Sequence, residues 1–258
     1  MKVQIRQFFA LFTAVALGPF CSHSYATVDY QRVEAKNNIV VDVVKVQNLS
    51  HLKLFLNDAK QQPYQSFASV EKNLPKCQSL SFAMNAGMYH ANYAPVGLYI
   101  EQGKKLTDLN EDTGYGNFFM QPNGVLAWNT QKAKILTTAN YKKQSLSQQA
   151  FKADFATQSG PMLVMDGKIN PQFLPDATSL KIRNGVGVKN NQLYFVISRD
   201  RVSFYQFAQF FQQDLAIEQA LYLDGSISSV YIPQAKRHDR RYSLGPMLGI
   251  VEKSSCEK

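Results

Sequence analysis

Arg183-Asn184-Gly185-Val186-Gly187-Val188 and Leu193-Tyr194-Phe195-Val196-Ile197-Ser198 flank the polar tetrapeptide Lys189-Asn190-Asn191-Gln192. Two apolar runs rich in β-branched and aromatic residues around a four-residue turn predict a β-hairpin, because no crossover helix fits between them. The same pattern extends in both directions. Upstream lie Val40–Val46, Leu80–Met84, a strand and hairpin turn over Pro95–Lys104, a strand pair Gly114–Met120 and Gly124–Trp128 joined at Gln121-Pro122-Asn123-Gly124, and Ala156–Val164, interrupted by Gly160-Pro161 and closed by Asp166-Gly167. Downstream lie Leu221–Leu223, Val230–Pro233 and Gly245–Val251.

Helical signals are fewer. Ser50 precedes Leu52, Phe55, Leu56 and Ala59 at helical spacing, Phe67–Leu74 forms a short segment before Pro75, and a polar stretch after Trp128 has room for one more. Ser203 with Gln206 makes a capping box ahead of Phe204, Phe207, Ala208, Phe211 and Leu215, an aromatic stripe expected to pack on the sheet. Strands outnumber helices and hairpins dominate their connections. The expected fold is a single α+β domain with a largely antiparallel or mixed sheet and flanking helices.

The chain has 258 residues, 45% of them hydrophobic, with 17 Phe and 13 Tyr, enough to bury a sizeable core. Lys2 and Arg6 precede an uncharged apolar run from Phe8 to Phe20, and Ser24-Tyr25-Ala26 places small residues where a signal peptidase reads. Residues 1–26 are therefore expected to be a signal peptide and 27–258 one exported domain, periplasmic or secreted, with no transmembrane segment in the mature chain. Cys21 falls in the leader after bulky Phe20, a poor context for lipidation. Cys77 and Cys256 remain; in an oxidising compartment they could pair across a long loop, and neither belongs to a CxxC or Cys/His cluster.

The formal net charge is +9, and the densest basic cluster is Lys236-Arg237-His238-Asp239-Arg240-Arg241. It lacks interleaved aromatics and the protein is expected to be exported, so nucleic acid is set aside in favour of anionic envelope polymers or phosphorylated substrates. No HExxH, GxSxG, GxxxxGK[ST] or CxxC motif occurs.

What recurs is a polar residue or glycine at the end of an apolar strand: Asn85-Ala86-Gly87, Pro95-Val96-Gly97, Ser159-Gly160-Pro161, Arg183-Asn184-Gly185 and Asp224-Gly225. Glycine weakens a strand, and one reason to keep it is the close approach of a ligand. The most informative of the five is Leu221-Tyr222-Leu223-Asp224-Gly225-Ser226-Ile227-Ser228-Ser229, a buried-type strand ending in one carboxylate and a hydroxyl-rich turn. Such a turn offers backbone N–H groups and hydroxyls to phosphate or sugar oxygens beside an acid/base.

Taken in order, these five segments resemble the phosphodiester glycosidase family over roughly residues 40 to 252. The resemblance implies hydrolysis of an α-linked sugar from a sugar-1-phosphodiester, in envelope glycans or related phosphoglycans. It also implies that Asn85, Arg183 and Asp224 are the catalytic residues, with Gly160, Gly225, Ser228 and Ser229 shaping the cleft and His90 a substrate contact. Arg183 would meet developing phosphate charge, and Asp224 would stabilise the sugar cation or activate water.

A second carboxylate, usual in glycosidases, stays open among Glu101, Asp112, Asp176 and Asp200. No cofactor is predicted. A divalent cation at Asp224 is left open, although one carboxylate is few for an oxygen cage. Ile227 departs from the glycine-rich turn of many relatives, which keeps a non-catalytic phosphoglycan-binding protein as the alternative.

Overall fold

The computed structural model describes residues 28–254. The expected signal peptide and Cys21, like Cys256, lie outside the described residues. Seventeen strands and three short α-helices are assigned among the described residues. Every strand pair is antiparallel. The α+β expectation is thus coarse: the architecture is mostly β, in three sheets of seven, five and five strands instead of one.

The seven-stranded sheet runs in the order Val28–Glu34, Val40–Val46, Gln192–Ser198, Asn184–Lys189, Gln219–Tyr222, Met162–Met165, Lys168–Ile169. Its centre is the predicted hairpin, with Asn184 opposite Ile197 and Lys189 opposite Gln192. Both faces of this sheet are covered. Val44, Phe195 and Leu221 enter a core shared with the other two sheets, whereas Val43, Val196 and Tyr222 face the layer formed by the helix Phe204–Gln209 and the π-turn Phe210–Asp214. Burial on both faces explains why Leu193–Ile197 reads as an unbroken apolar run, whereas the edge strand Val28–Glu34 carries exposed polar residues. The capping box holds as predicted: Ser203 accepts from Gln206 N while the Gln206 side chain accepts from Ser203 N.

The second sheet runs Arg237–His238, Val230–Ile232, Gln78–Asn85, Met247–Lys253, Leu52–Phe55. Its last member corrects the helix expected after Ser50. Leu52, Leu54 and Leu56 are all buried, an alternation that pairs this segment with Met247–Lys253, while Phe55 packs on the cluster around Phe67. Because both faces are covered, Leu52, Phe55 and Leu56 fit a helical period as well as an extended one, and tertiary pairing decides.

The third sheet runs Lys104–Thr107, Tyr99–Glu101, Phe155–Ser159, Gly124–Trp128, Ala133–Thr137. Here Gly114–Met120 is not the predicted strand. Gly116 takes φ +93°, outside the extended region, and a 3-10 turn covers Asn117–Phe119. The partner of Gly124–Trp128 is instead Ala133–Thr137, joined through Asn129, whose Oδ1 accepts from Gln131 N and Lys132 N. The predicted Ala156–Val164 strand is two strands in different sheets, divided at the Gly160-Pro161 peptide. Cys77 is disulfide-bonded, and its carbonyl accepts from Ser254 N. Among the described residues no helix is long and apolar enough to cross a membrane.

Candidate active site

Four chain segments meet where strand Gln219–Tyr222 runs out. Leu223 N–H donates to Asn184 O and Asp224 N–H donates to Ala86 O, so residues 223–224 are clamped between two neighbouring sheets. Asp224 then caps a 3-10 turn, Gly225–Ile227, by accepting from Ser226 N at 3.2 Å. The chain needs glycine at 225. A Cβ there would stand 1.6 Å from Tyr222 Oη.

Asn85 is the knot behind the turn. Its Nδ2 donates to Asp224 O at 2.7 Å, and its Oδ1 accepts from Asn184 Nδ2 at 3.0 Å and from Ser229 N at 2.9 Å. Ser228 Oγ lies 3.0 Å from Asn184 Oδ1 and 3.1 Å from Ile182 O. Asn85, only 1% exposed, thus spends its side chain on holding the 224–229 backbone. The sequence reading groups Asn85, Asp224, Gly225, Ser228 and Ser229, and the structure brings them together.

Arg183 approaches the same strand from the other side. Its Nε donates to Val202 O at 2.9 Å, Nη1 to Tyr222 Oη at 3.1 Å and Nη2 to Ser179 O at 3.0 Å, and the guanidinium stacks 3.7 Å over the Phe204 ring. At 2% exposure it fixes Tyr222 beneath Gly225. It does not present an open fork.

His90 is exposed at the tip of a turn closed by its own N–H to Ala94 O. Among the described residues its ring hydrogen-bonds to none of the residues above. Gly160 lies one layer deeper, where a Cβ would stand 2.1 Å from Asn123 Oδ1, and its neighbour Pro161 accepts from Tyr222 N.

Asp224 itself is half-buried, and burial pushes its carboxyl up to about 6, opposed only by the Ser226 N–H. Tyr89 and Tyr222 sit close enough to feel its charge. Burial first, and then Asp224, raises each phenol to about 12, Arg183 pulling Tyr222 the other way. Tyr89 is held by donating to Ser243 O at 2.6 Å. A carboxyl poised near neutrality between two protonated phenols is suited to exchanging a proton with water. Glu101, Asp112, Asp176 and Asp200 make no hydrogen bond to residues 222–229 among the described residues; Glu101 accepts from Tyr99 Oη and Asp200 from Val40 N. No group of three or more His, Cys, Asp or Glu side chains that could hold a metal ion is present among the described residues.

The outer side of the turn faces a cleft of about 560 Å³, where Gly225, Ser226, Ser228 and Ser229 meet Lys181, Arg201 and the segment Arg237 to Tyr242. Tyr89, Tyr222, Asn184 and this cleft were not singled out as parts of the site by sequence. Asn184 stands directly beside Arg183, and Tyr222 lies two residues before Asp224 on the strand that leads into the turn, so both were within reach of a reading of these segments.

The sequence profile of a family described as Phosphodiester glycosidase matches residues 78–250. YigE of Escherichia coli (strain K12), described as uncharacterized, is 36% identical over 203 residues, 78% of this chain and 78% of its own length. A hypothetical protein from Synechocystis has a similar structure, with TM-score 0.52 and 14% identity, covering 88% of this chain and 62% of that one. A protein from Burkholderia pseudomallei K96243 gives TM-score 0.53 at 10% identity, over 82% and 74% of the two chains. At these identities the two structures show a shared fold. The profile match spans most of the described chain and includes Asn85, Arg183 and Asp224, and the chain belongs to the phosphodiester glycosidase family.

Proposed function

We propose that the chain is an exported hydrolase that cleaves an α-linked sugar from a sugar-1-phosphodiester, with Asp224 accepting the proton of the attacking water. The observation that carries this reading is a half-buried carboxyl, raised to about 6, at the head of a hydroxyl-rich turn whose outer side is a cationic cleft. At neutral pH most Asp224 is ionised yet poorly solvated, the state in which a carboxylate is a competent base.

In the proposed step water oxygen bonds to the anomeric carbon, the bond from that carbon to the phosphate oxygen breaks, and the water proton passes to Asp224 and then to solvent. The departing phosphate monoester has a second pKa of about 6, so it leaves without a strong acid. This accounts for a site with one evident carboxylate where most glycosidases use two. Asn85, Asn184, Arg183 and Tyr222 are positioning residues: buried and hydrogen-bonded to one another or to the turn, they aim Asp224 without touching substrate. Ser228 and exposed His90 are the groups assigned to substrate hydroxyls and phosphate oxygens; Ser229, expected as a substrate contact, is 1% exposed with its Oγ on Ile227 O and joins the positioning residues, and Gly160 keeps the neighbouring strand end against Tyr222.

Ile227, the residue that favoured a binding protein, packs against the cluster of Phe67 and Leu244, anchoring the turn from behind without obstructing its outer side. The test is hydrolysis of a panel of α-sugar-1-phosphodiesters in ¹⁸O water. Label in the released sugar, with Asp224→Asn slowed at least about a hundredfold, is expected of a base removed from the transition state. Label in the phosphate, or equal turnover by the variant, would overturn the assignment.

A further inference from the structure

Five cations line the cleft beside the turn, Lys181, Arg201, Arg237, Arg240 and Arg241, against one carboxylate, Asp239. That carboxylate is already committed: Asp239 Oδ2 accepts from Arg237 Nη2 at 2.9 Å and from Val230 N at 3.1 Å. Arg237 is further held by Asp42, at 2.7 Å from Nη1. Lys181, Arg201, Arg240 and Arg241 have no carboxylate partner among the described residues, and all four are exposed.

Their positions are organised. Arg201 Nη2 donates to Leu180 O at 2.9 Å, Arg240 Nε donates to His238 Nδ1 at 3.2 Å, and Arg241 stacks on Tyr242 with its guanidinium carbon 5.4 Å from the ring centre. Burial, then Arg240, lowers the His238 pKa, which favours the neutral ring whose Nδ1 faces Arg240. The root of the 237–242 segment is fixed by Arg237 to both Asp42 and Asp239. Like charges gathered without counter-ions repel one another, and the arrangement is favourable only when an anion occupies it.

One phosphate at the scissile bond does not use this many cations. We propose that the cleft is a second anion subsite, which takes a further phosphate on the leaving group, so that the substrate class is a sugar linked to an aglycone carrying at least two phosphates. This deepens the function proposed above and rests on it for the position of the scissile bond at Asp224. Planar guanidinium groups bind phosphate oxygens in pairs, which suits Arg201, Arg240 and Arg241 to this role better than isolated lysines. The two sources of that chemistry are a diphosphate attached to the sugar and a chain repeating single phosphodiesters.

The experiment compares three α-linked sugar substrates: a methyl phosphodiester with one phosphate, a UDP-sugar with a diphosphate, and a synthetic dimer of sugar phosphodiesters. The double variant Arg240→Ala/Arg241→Ala is expected to lose at least about tenfold in kcat/KM on a substrate with two phosphates and less than about twofold on the methyl diester, since each charge-assisted contact is worth a factor of ten or more. Selective loss on the UDP-sugar assigns the diphosphate, and selective loss on the dimer assigns the repeating chain. Lys104→Ala/Lys132→Ala, which removes two exposed charges outside the cleft, controls for net charge and is expected to change neither.

Calorimetric titration with inorganic pyrophosphate reads the subsite without turnover. Binding that the Arg240/Arg241 variant loses and the lysine control retains supports it. Pyrophosphate binding of this kind with no hydrolysis of any diester would leave the subsite standing and defeat the glycosidase reading. Equal losses on all three substrates, or pyrophosphate binding indifferent to Arg240 and Arg241, would overturn the subsite alone.

Discussion

Replacing Asp224 by Asn should make the protein more stable while disabling it, with a gain that depends on pH. Burial raises the Asp224 carboxyl from its ordinary 3.8 to about 6. The folded state therefore disfavours the ionised form that the unfolded chain adopts freely above pH 4. At about 1.4 kcal/mol per decade of proton affinity, the destabilisation from keeping Asp224 ionised comes to about 3 kcal/mol at most. Asn of the same shape has no charge to desolvate, and its Oδ1 can still accept from Ser226 N, so the turn keeps its cap.

The sign follows from the order of the two pKa values. Below 3.8 both states are protonated and the variant gains nothing; between 3.8 and about 6 the gain grows; above about 6 it is constant. Urea unfolding of both proteins at pH 4, 5, 6 and 7.5 measures this directly, and the thermal midpoint at pH 7.5 should rise by roughly 5–10 °C for a chain of this size. A variant less stable at pH 7.5, or a stability difference that does not change between pH 4 and 7.5, would refute the picture of a desolvated carboxylate.

The same titration should appear in catalysis: kcat/KM for a sugar-1-phosphodiester is expected to fall tenfold per pH unit below an apparent pKa near 6, a limb absent from the residual activity of Asp224→Asn. Asp42, whose side chain is fully buried, is desolvated by burial, which alone would raise its pKa. Hydrogen bonds from Arg199, Arg237 and Tyr30 outweigh this and hold it below the ordinary 3.8. Asp42→Asn should therefore cost at least about 1.5 kcal/mol at pH 7, the worth of one hydrogen bond to a charged group, read by urea unfolding, and in the parent protein the part of this contribution that depends on ionisation should fade as pH falls below 3.8 through the lowered pKa. Gly225→Ala drives a methyl into Tyr222 Oη and should cost at least about 2 kcal/mol and most of the activity; parental turnover and stability would show that the turn has room the structure denies it.

The strands that read most clearly are those dominated by β-branched, aromatic and other apolar residues: Val40–Val46, Leu80–Met84 and the hairpin Arg183–Ser198. They are covered on both faces, so composition alone identifies them. Segments whose identity depends on a distant partner were not legible. Leu52–Phe55 is a strand because Met247–Lys253 lies beside it, and Gly114–Met120 fails to be one because the hairpin partner of Gly124–Trp128 comes from the other direction.

The site divides in the same way. Asp224 and its turn could be found from residue types at a strand end. That the Asn85 and Arg183 side chains are taken up by buried hydrogen bonds could not, since the polar residue types that grip substrate also grip backbone. The cationic cleft was visible only as a basic run. Lys181 and Arg201, which complete it, come from the two segments that flank the hairpin Asn184–Ser198, some forty to sixty positions earlier.

The tie from Arg237 to Asp42 also bears on transplanting the basic edge into a relative. The 237–242 segment is short and looks like a portable cassette, yet its first arginine is moored to an anion inside a strand nearly two hundred positions away. A graft lacking an acid at the position of Asp42 would import the charges without the anchor that aims them, so strand and loop would have to be exchanged as a pair.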